Sequence, residues 1–147
     1  MATDFNSYAY DKAKYHLDGD FPSDLDEDNA STHTAFFLNW IVEKNLASEE
    51  LVSSSKKTIA QIFARETNPI QLYADWDYCL IGDMLSDEGN KFAIKYFDFE
   101  RGSYLQDYEA CFPGLPSLFH VEPTWDNFDK IKSVMDRRFK EWRQNTR

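Results

Sequence analysis

Basic residues, glycine and cysteine are all scarce in this chain of 147 residues, and each scarcity closes off a class of function. Sixteen Lys/Arg stand against 26 Asp/Glu, for a formal charge of −10 and a pI near 4.7. Phosphate backbones require a basic stripe, so nucleic acid is not an expected partner, and an anionic membrane surface is no better matched. Five scattered glycines form no phosphate-cradling loop. Cys79 and Cys111 fit neither a metal spacing nor a disulfide framework. No apolar run approaches the ~20 residues that span a bilayer, and no basic N-terminal stretch leads into an apolar one. The expected setting is cytoplasmic, and the expected organisation is one domain over residues 1–147.

Aromatic residues, by contrast, are abundant: 12 Phe, 8 Tyr and 4 Trp make up 16% of the chain. Each buries a large area, and such residues anchor interfaces as well as cores. The charge is uneven. Residues 121–147 carry seven Lys/Arg against five Asp/Glu, which leaves −12 on residues 1–120. An acidic body is electrostatically suited to meet a basic protein quickly.

Hydrophobic periodicity points to a mainly α fold, a single-domain irregular bundle of six or seven helices with at most short strands. The first 28 residues read as irregular, with one short helix at 10–15. Residues 30–46 hold Phe36, Phe37, Trp40, Ile41 and Val42 with little polar circumference between them, so a central buried helix is expected there, capped by Asp28 or Asn29. Ser48 opens and caps a second helix, residues 57–66 form a third, and Asn68-Pro69 opens a fourth. Ser86 opens a helix carrying Phe92, Ala93, Tyr96 and Phe97, and residues 104–112 form another. Residues 118–121 read as a short extended segment. Thr124 caps the last helix, in which Trp125, Phe128, Ile131, Met135, Phe139 and Trp142 recur every three or four positions. Its basic residues Arg137, Arg138, Lys140 and Arg143 are expected to pair with the acidic body.

No catalytic constellation is recognisable. The acid run Asp18, Asp20, Asp24, Asp26, Glu27 and Asp28 fails as a calcium loop: a loop starting at Asp24 has Asn29 where glycine is required and Ala35 where the bidentate Glu must stand. A solvated acidic loop is the better reading. His16, His33 and His120 lack the i, i+4 spacing of a helical metal pair. His16 and His33 flank the acid run and read as histidines that tie the loop to the first long helix. Ser54 and Lys57 match Ser-x-x-Lys by spacing but without companion motifs, and Cys79 reads as a small buried residue. No cofactor and no stoichiometric metal are expected.

Several segments in order carry a resemblance: Tyr10-Asp-Lys-Ala-Lys-Tyr-His16, Gly19-Asp-Phe-Pro22, His33-Thr-Ala-Phe-Phe-Leu-Asn-Trp40, Asp87-Glu-Gly-Asn90, Tyr104-Leu-Gln-Asp-Tyr108 and Leu115-Pro-Ser-Leu-Phe-His-Val121. The chain resembles a family of small bacterial proteins described as a domain of unknown function, whose members look similar to toxin-immunity proteins. The resemblance implies a non-enzymatic immunity protein that neutralises a cognate toxin, expected to be basic, by direct contact. The acids Asp18, Asp20, Asp24, Asp26 and Glu27 are the candidate partner-binding residues. The alternative is a metal-dependent or acid–base enzyme using His16, His33 and nearby carboxylates; a pocket in which His16, His33 and Asp20 converge would mark it. A homo-oligomer is the third arrangement.

Overall fold

A helix that is apolar on every side must be covered on every side. Every residue from Thr32 to Val42 is buried, and the remaining elements form the cover. In a computed structural model, which describes residues 8–145, the chain begins with β1 (Ala9–Lys12), α1 (Ala13–Leu17) and the central α2 (Thr32–Glu43). It continues through α3 (Glu49–Ser54), α4 (Lys56–Phe63), α5 (Gln71–Asp75), β2 (Cys79–Ile81), α6 (Asp87–Tyr96), α7 (Tyr104–Cys111) and α8 (Trp125–Asn145). Single 3-10 turns lie at Glu27–Ala30, Gly82–Met84 and Leu118–His120. The fold is mainly α. Eight α-helices are present among the described residues, and α1 and α5, at five residues each, are little more than single turns. No helix among those residues is long and apolar enough to cross a membrane.

Around α2 pack α4, α5 and α8. Phe37 stacks on Phe97 at 4.5 Å between centroids, and Trp40 meets Phe92 at 5.4 Å and Phe139 at 5.5 Å. Phe36, Phe37, Trp40 and Ile41 have no exposed surface, as their pattern predicts. Some polar groups inside this core are matched: Asn39 Nδ2 donates to the Pro69 carbonyl at 2.7 Å, and the Tyr104 hydroxyl donates to the His33 carbonyl at 2.6 Å.

Helix starts follow the side chains that can accept free amides. Ser48 Oγ accepts from Leu51, Ser86 Oγ from Gly89 and Thr124 Oγ1 from Asn127. The start of α2 differs from expectation. Neither Asp28 nor Asn29 caps it; Asp26 instead accepts from the Asp28 amide and opens the preceding 3-10 turn. Of the basic residues on α8, Arg138 grips Asp107 with two bonds of 2.9 Å, and Arg143 reaches Glu88 at 3.4 Å.

Two segments were misassigned by local pattern. Residues 10–15 do not form one helix. They divide between β1, which pairs antiparallel with β2, and α1. Residues 118–121 are not one extended segment: Leu118–His120 fold as a 3-10 turn capped by Ser117 Oγ, and Val121 alone is extended. Residues 1–7 of the irregular N-terminal stretch lie outside the described residues.

Candidate functional site

Successive side chains of a regular strand face opposite ways, yet Tyr10 and Asp11 of β1 are both buried. The cause is a register irregularity: Ala9 pairs with Ile81 and Asp11 with Leu80, so one residue of β1 is extra. Such a bulge re-aims a side chain. It lets Tyr10 reach Asn90 Oδ1 at 2.5 Å while the Asp11 carboxylate also enters the interior.

Three groups meet that carboxylate. His16, on α1, places Nε2 at 2.8 Å from Asp11 Oδ1. Thr34, on α2, donates its hydroxyl to Oδ2 at 2.5 Å. His33, one residue earlier on α2, has Nε2 at 3.4 Å from Oδ2, a contact that lacks hydrogen-bond geometry. The side chains of Asp11 and His33 are 2% and 1% exposed, whereas His16 retains 20%. Phe99 and Phe119 pack against both imidazoles, with centroids 5.4–6.2 Å away, and Tyr108 closes on His33.

This setting fixes protonation. Burial alone would raise the Asp11 carboxyl, but its hydrogen bond with His16 and the facing imidazole of His33 outweigh it and hold the group well below the ordinary carboxylate range. Burial pushes His33 down, against the opposing pull of Asp11, so its imidazole is kept neutral. A neutral imidazole has one donor and one acceptor nitrogen, and neither nitrogen of His33 has a hydrogen-bond partner among the described residues. An orphaned buried polar group costs about 1–3 kcal/mol.

Chemically, the cluster is an Asp–His pair with a second imidazole beside it. The ligand atoms of Asp11, His16 and His33 all lie within 4.8 Å of one another, a donor set that suits a metal ion. Asp20, the carboxylate that the sequence placed nearest the two histidines, is exposed and takes no part; Asp11 has its place. Asp11 is separated from His16 and His33 by five and 22 positions, a spacing that marks no single helical face.

Outside the cluster a second feature is visible. A cleft of about 380 Å³ opens beside α1, lined among others by Glu27, Asp28, Asp77 and Tyr78. Neither histidine nor Asp11 lines it. Asp77 and Tyr78 both hold left-handed backbone, with φ of 60° and 56°. That conformation is uncommon for a bulky residue and costs about 1–2 kcal/mol at each. Hydrogen bonds hold the turn: the Tyr78 amide donates to the Tyr73 carbonyl, and the Ala13 amide donates to the Tyr78 carbonyl, both at 3.0 Å. Tyr78 is left 40% exposed and Tyr15 53%.

The predicted acids Asp18, Asp20, Asp24, Asp26 and Glu27 are all exposed, on the connection that runs from α1 to the cleft. Asp26 is engaged as a cap; Asp18, Asp20, Asp24 and Glu27 form no ion pair among the described residues. Cys79 is half-buried, its thiol directed to the Asp77 carbonyl at 3.3 Å, so it is not the enclosed residue its neighbours suggested.

Residues 9–121 match a family described as a domain of unknown function, DUF7832. The chain belongs to this family. Comparison with curated proteins and with solved structures finds no match. The DUF7832 region contains Asp11, both histidines, the acid run and the cleft, while α8, which closes the core, lies beyond it.

Proposed function

We propose that this chain is an immunity-type binding protein of the bacterial cytoplasm that neutralises a basic toxin by direct contact. The observation that carries the reading is the cleft beside α1, where Glu27, at the end of a run of exposed acids with no ion pair among the described residues, and the exposed Tyr78 share one lining. Charges of that kind raise association rates, and tyrosines supply the anchors that slow dissociation. The strained turn at Asp77 and Tyr78 supports the same reading, since such backbone persists where its side chains are used. The overall charge of −10 complements a basic partner.

The test begins with co-purification from the native locus, followed by association kinetics over a salt series. Changing Asp18, Asp20 and Asp24 to Asn and Glu27 to Gln should slow association about tenfold or more and flatten its salt dependence. Asp26 is excluded because it caps a turn. Tyr78→Ala should raise the dissociation rate instead. Unchanged association by the quadruple variant, with a confirmed partner, would remove this face from consideration.

A second reading, an acid–base enzyme, draws on the His16–Asp11 pair, in which His16 is the member that reaches solvent. The hydroxyl that joins the pair, that of Thr34, is fully buried, and the cleft beside α1 does not include the pair.

A further inference from the structure

We propose that Asp11, His16 and His33 form a binding site for a divalent transition metal, zinc foremost, that ties β1, α1 and α2 together. This departs from the metal-free protein expected of the sequence, and it does not rest on the toxin-binding reading.

Two imidazoles and one carboxylate are a donor set used by zinc and by other borderline divalent ions. Their spacing is close to what a metal needs. Ligand atoms bonded at about 2.0–2.1 Å stand about 3–3.4 Å apart across tetrahedral or octahedral angles. Here Asp11 lies 2.8 Å from His16 and 3.4 Å from His33, and the three ligand atoms all lie within 4.8 Å of one another. A small approach of His16 towards His33 completes the arrangement, and His16, on a five-residue helix at 20% exposure, is the member free to make it.

The second observation concerns His33 itself. Its side chain is fully enclosed, it faces Asp11, and neither ring nitrogen has a hydrogen-bond partner among the described residues. An imidazole placed only for packing gains little over an apolar ring in such a position: Nδ1 is desolvated without a partner, and Nε2 has only its 3.4 Å contact with Asp11 in return. Nε2 beside the carboxylate is an unused ligand atom.

The surroundings are those of a supported site. Thr34 holds Asp11 Oδ2 by its hydroxyl, as outer-shell groups hold ligating carboxylates. Phe99 and Phe119 wall the imidazoles and restrict their rotation. Three side chains leave a fourth position for water or for the second carboxylate oxygen. Each ligand comes from a different element, so the ion would fasten the N-terminal strand and helix onto the core.

The experiment uses the full chain after dialysis against a chelator, titrated with zinc by calorimetry, with cobalt as a spectroscopic probe. One zinc per chain should bind and raise the melting temperature, and cobalt should give the intense visible absorption of low-coordinate histidine ligation. His16→Ala and Asp11→Asn should each weaken zinc binding by about 100-fold or more, no less than the loss that outer-shell changes produce. His16 is partly exposed and Asn preserves the shape of Asp, so folding of both is checked by circular dichroism. Absence of saturable one-to-one zinc uptake by the unmodified chain would overturn the site, whatever the variants do. Binding of unchanged affinity in a folded His16→Ala variant would overturn it equally.

Discussion

Trp40 has no exposed surface, touches Phe37, Phe92 and Phe139, and donates its indole N–H to Asp136 Oδ1 at 2.9 Å. The same carboxylate oxygen meets Lys44 at 2.8 Å, so one residue joins the apolar centre to an ionic group on α8. Trp40→Ala removes ring and hydrogen bond together and should cost about 3–5 kcal/mol. Trp40→Phe keeps most of the ring and should cost about 1–3 kcal/mol, a smaller cavity plus one lost hydrogen bond. Urea denaturation of the two variants checks the order, and equal losses would contradict the packing described. Trp40 was legible in the sequence because three neighbours share its apolar surface. Asp11 was not. Nothing local distinguishes it from the exposed acids that follow; its burial depends on a bulge, and the bulge on a partner strand whose Leu80 is 69 positions away.

The elements divide the same way. α2, α6 and α8 announce themselves by their apolar side chains, and α6 and α8 also by Ser and Thr caps; all three stand where those signals put them. β1 does not, since Tyr-Asp-Lys within it has no period of its own and is a strand only by pairing with Cys79–Ile81. The cap of α2 was misread because three acids compete at that corner, and Asp26 serves the 3-10 turn before the helix rather than the helix itself. Connections between elements are equally specific. Gly102, between α6 and α7, lies so close to the chain end of α6 that an added Cβ would overlap the Tyr96 carbonyl. Its amide donates to the Asp98 carbonyl at 2.7 Å, so the loop cannot easily move away. Gly102→Ala should therefore cost about 1–3 kcal/mol, read as a lower urea midpoint. An Ala variant as stable as the parent would show that the loop has room.

For the molecule as a whole, acid should be destabilising in two steps. His33 is neutral in the fold, while in the unfolded chain it takes a proton below about pH 6.5. The unfolded state then binds more protons, so stability is full above pH ~7 and falls as pH drops through 6.5, by at most ~1.4 kcal/mol per unit. Asp11, held below its ordinary range, contributes stability that is present above pH ~3.9 and is lost as pH falls towards its folded value. Urea midpoints between pH 7.5 and 5 should decline, and His33→Gln should flatten that first decline. A slope equal to that of the parent would assign the effect to other groups. The order in which the chain leaves the ribosome adds a different consequence of the central helix. α2 is complete at Glu43, but Phe139, which covers Trp40, follows 99 positions after the ring it protects. At about 5–20 residues per second, that interval lasts about 5–20 s. Throughout it, a helix built to have no wet side stands in water without its lid, and the nascent chain is a substrate for chaperones before it is anything else.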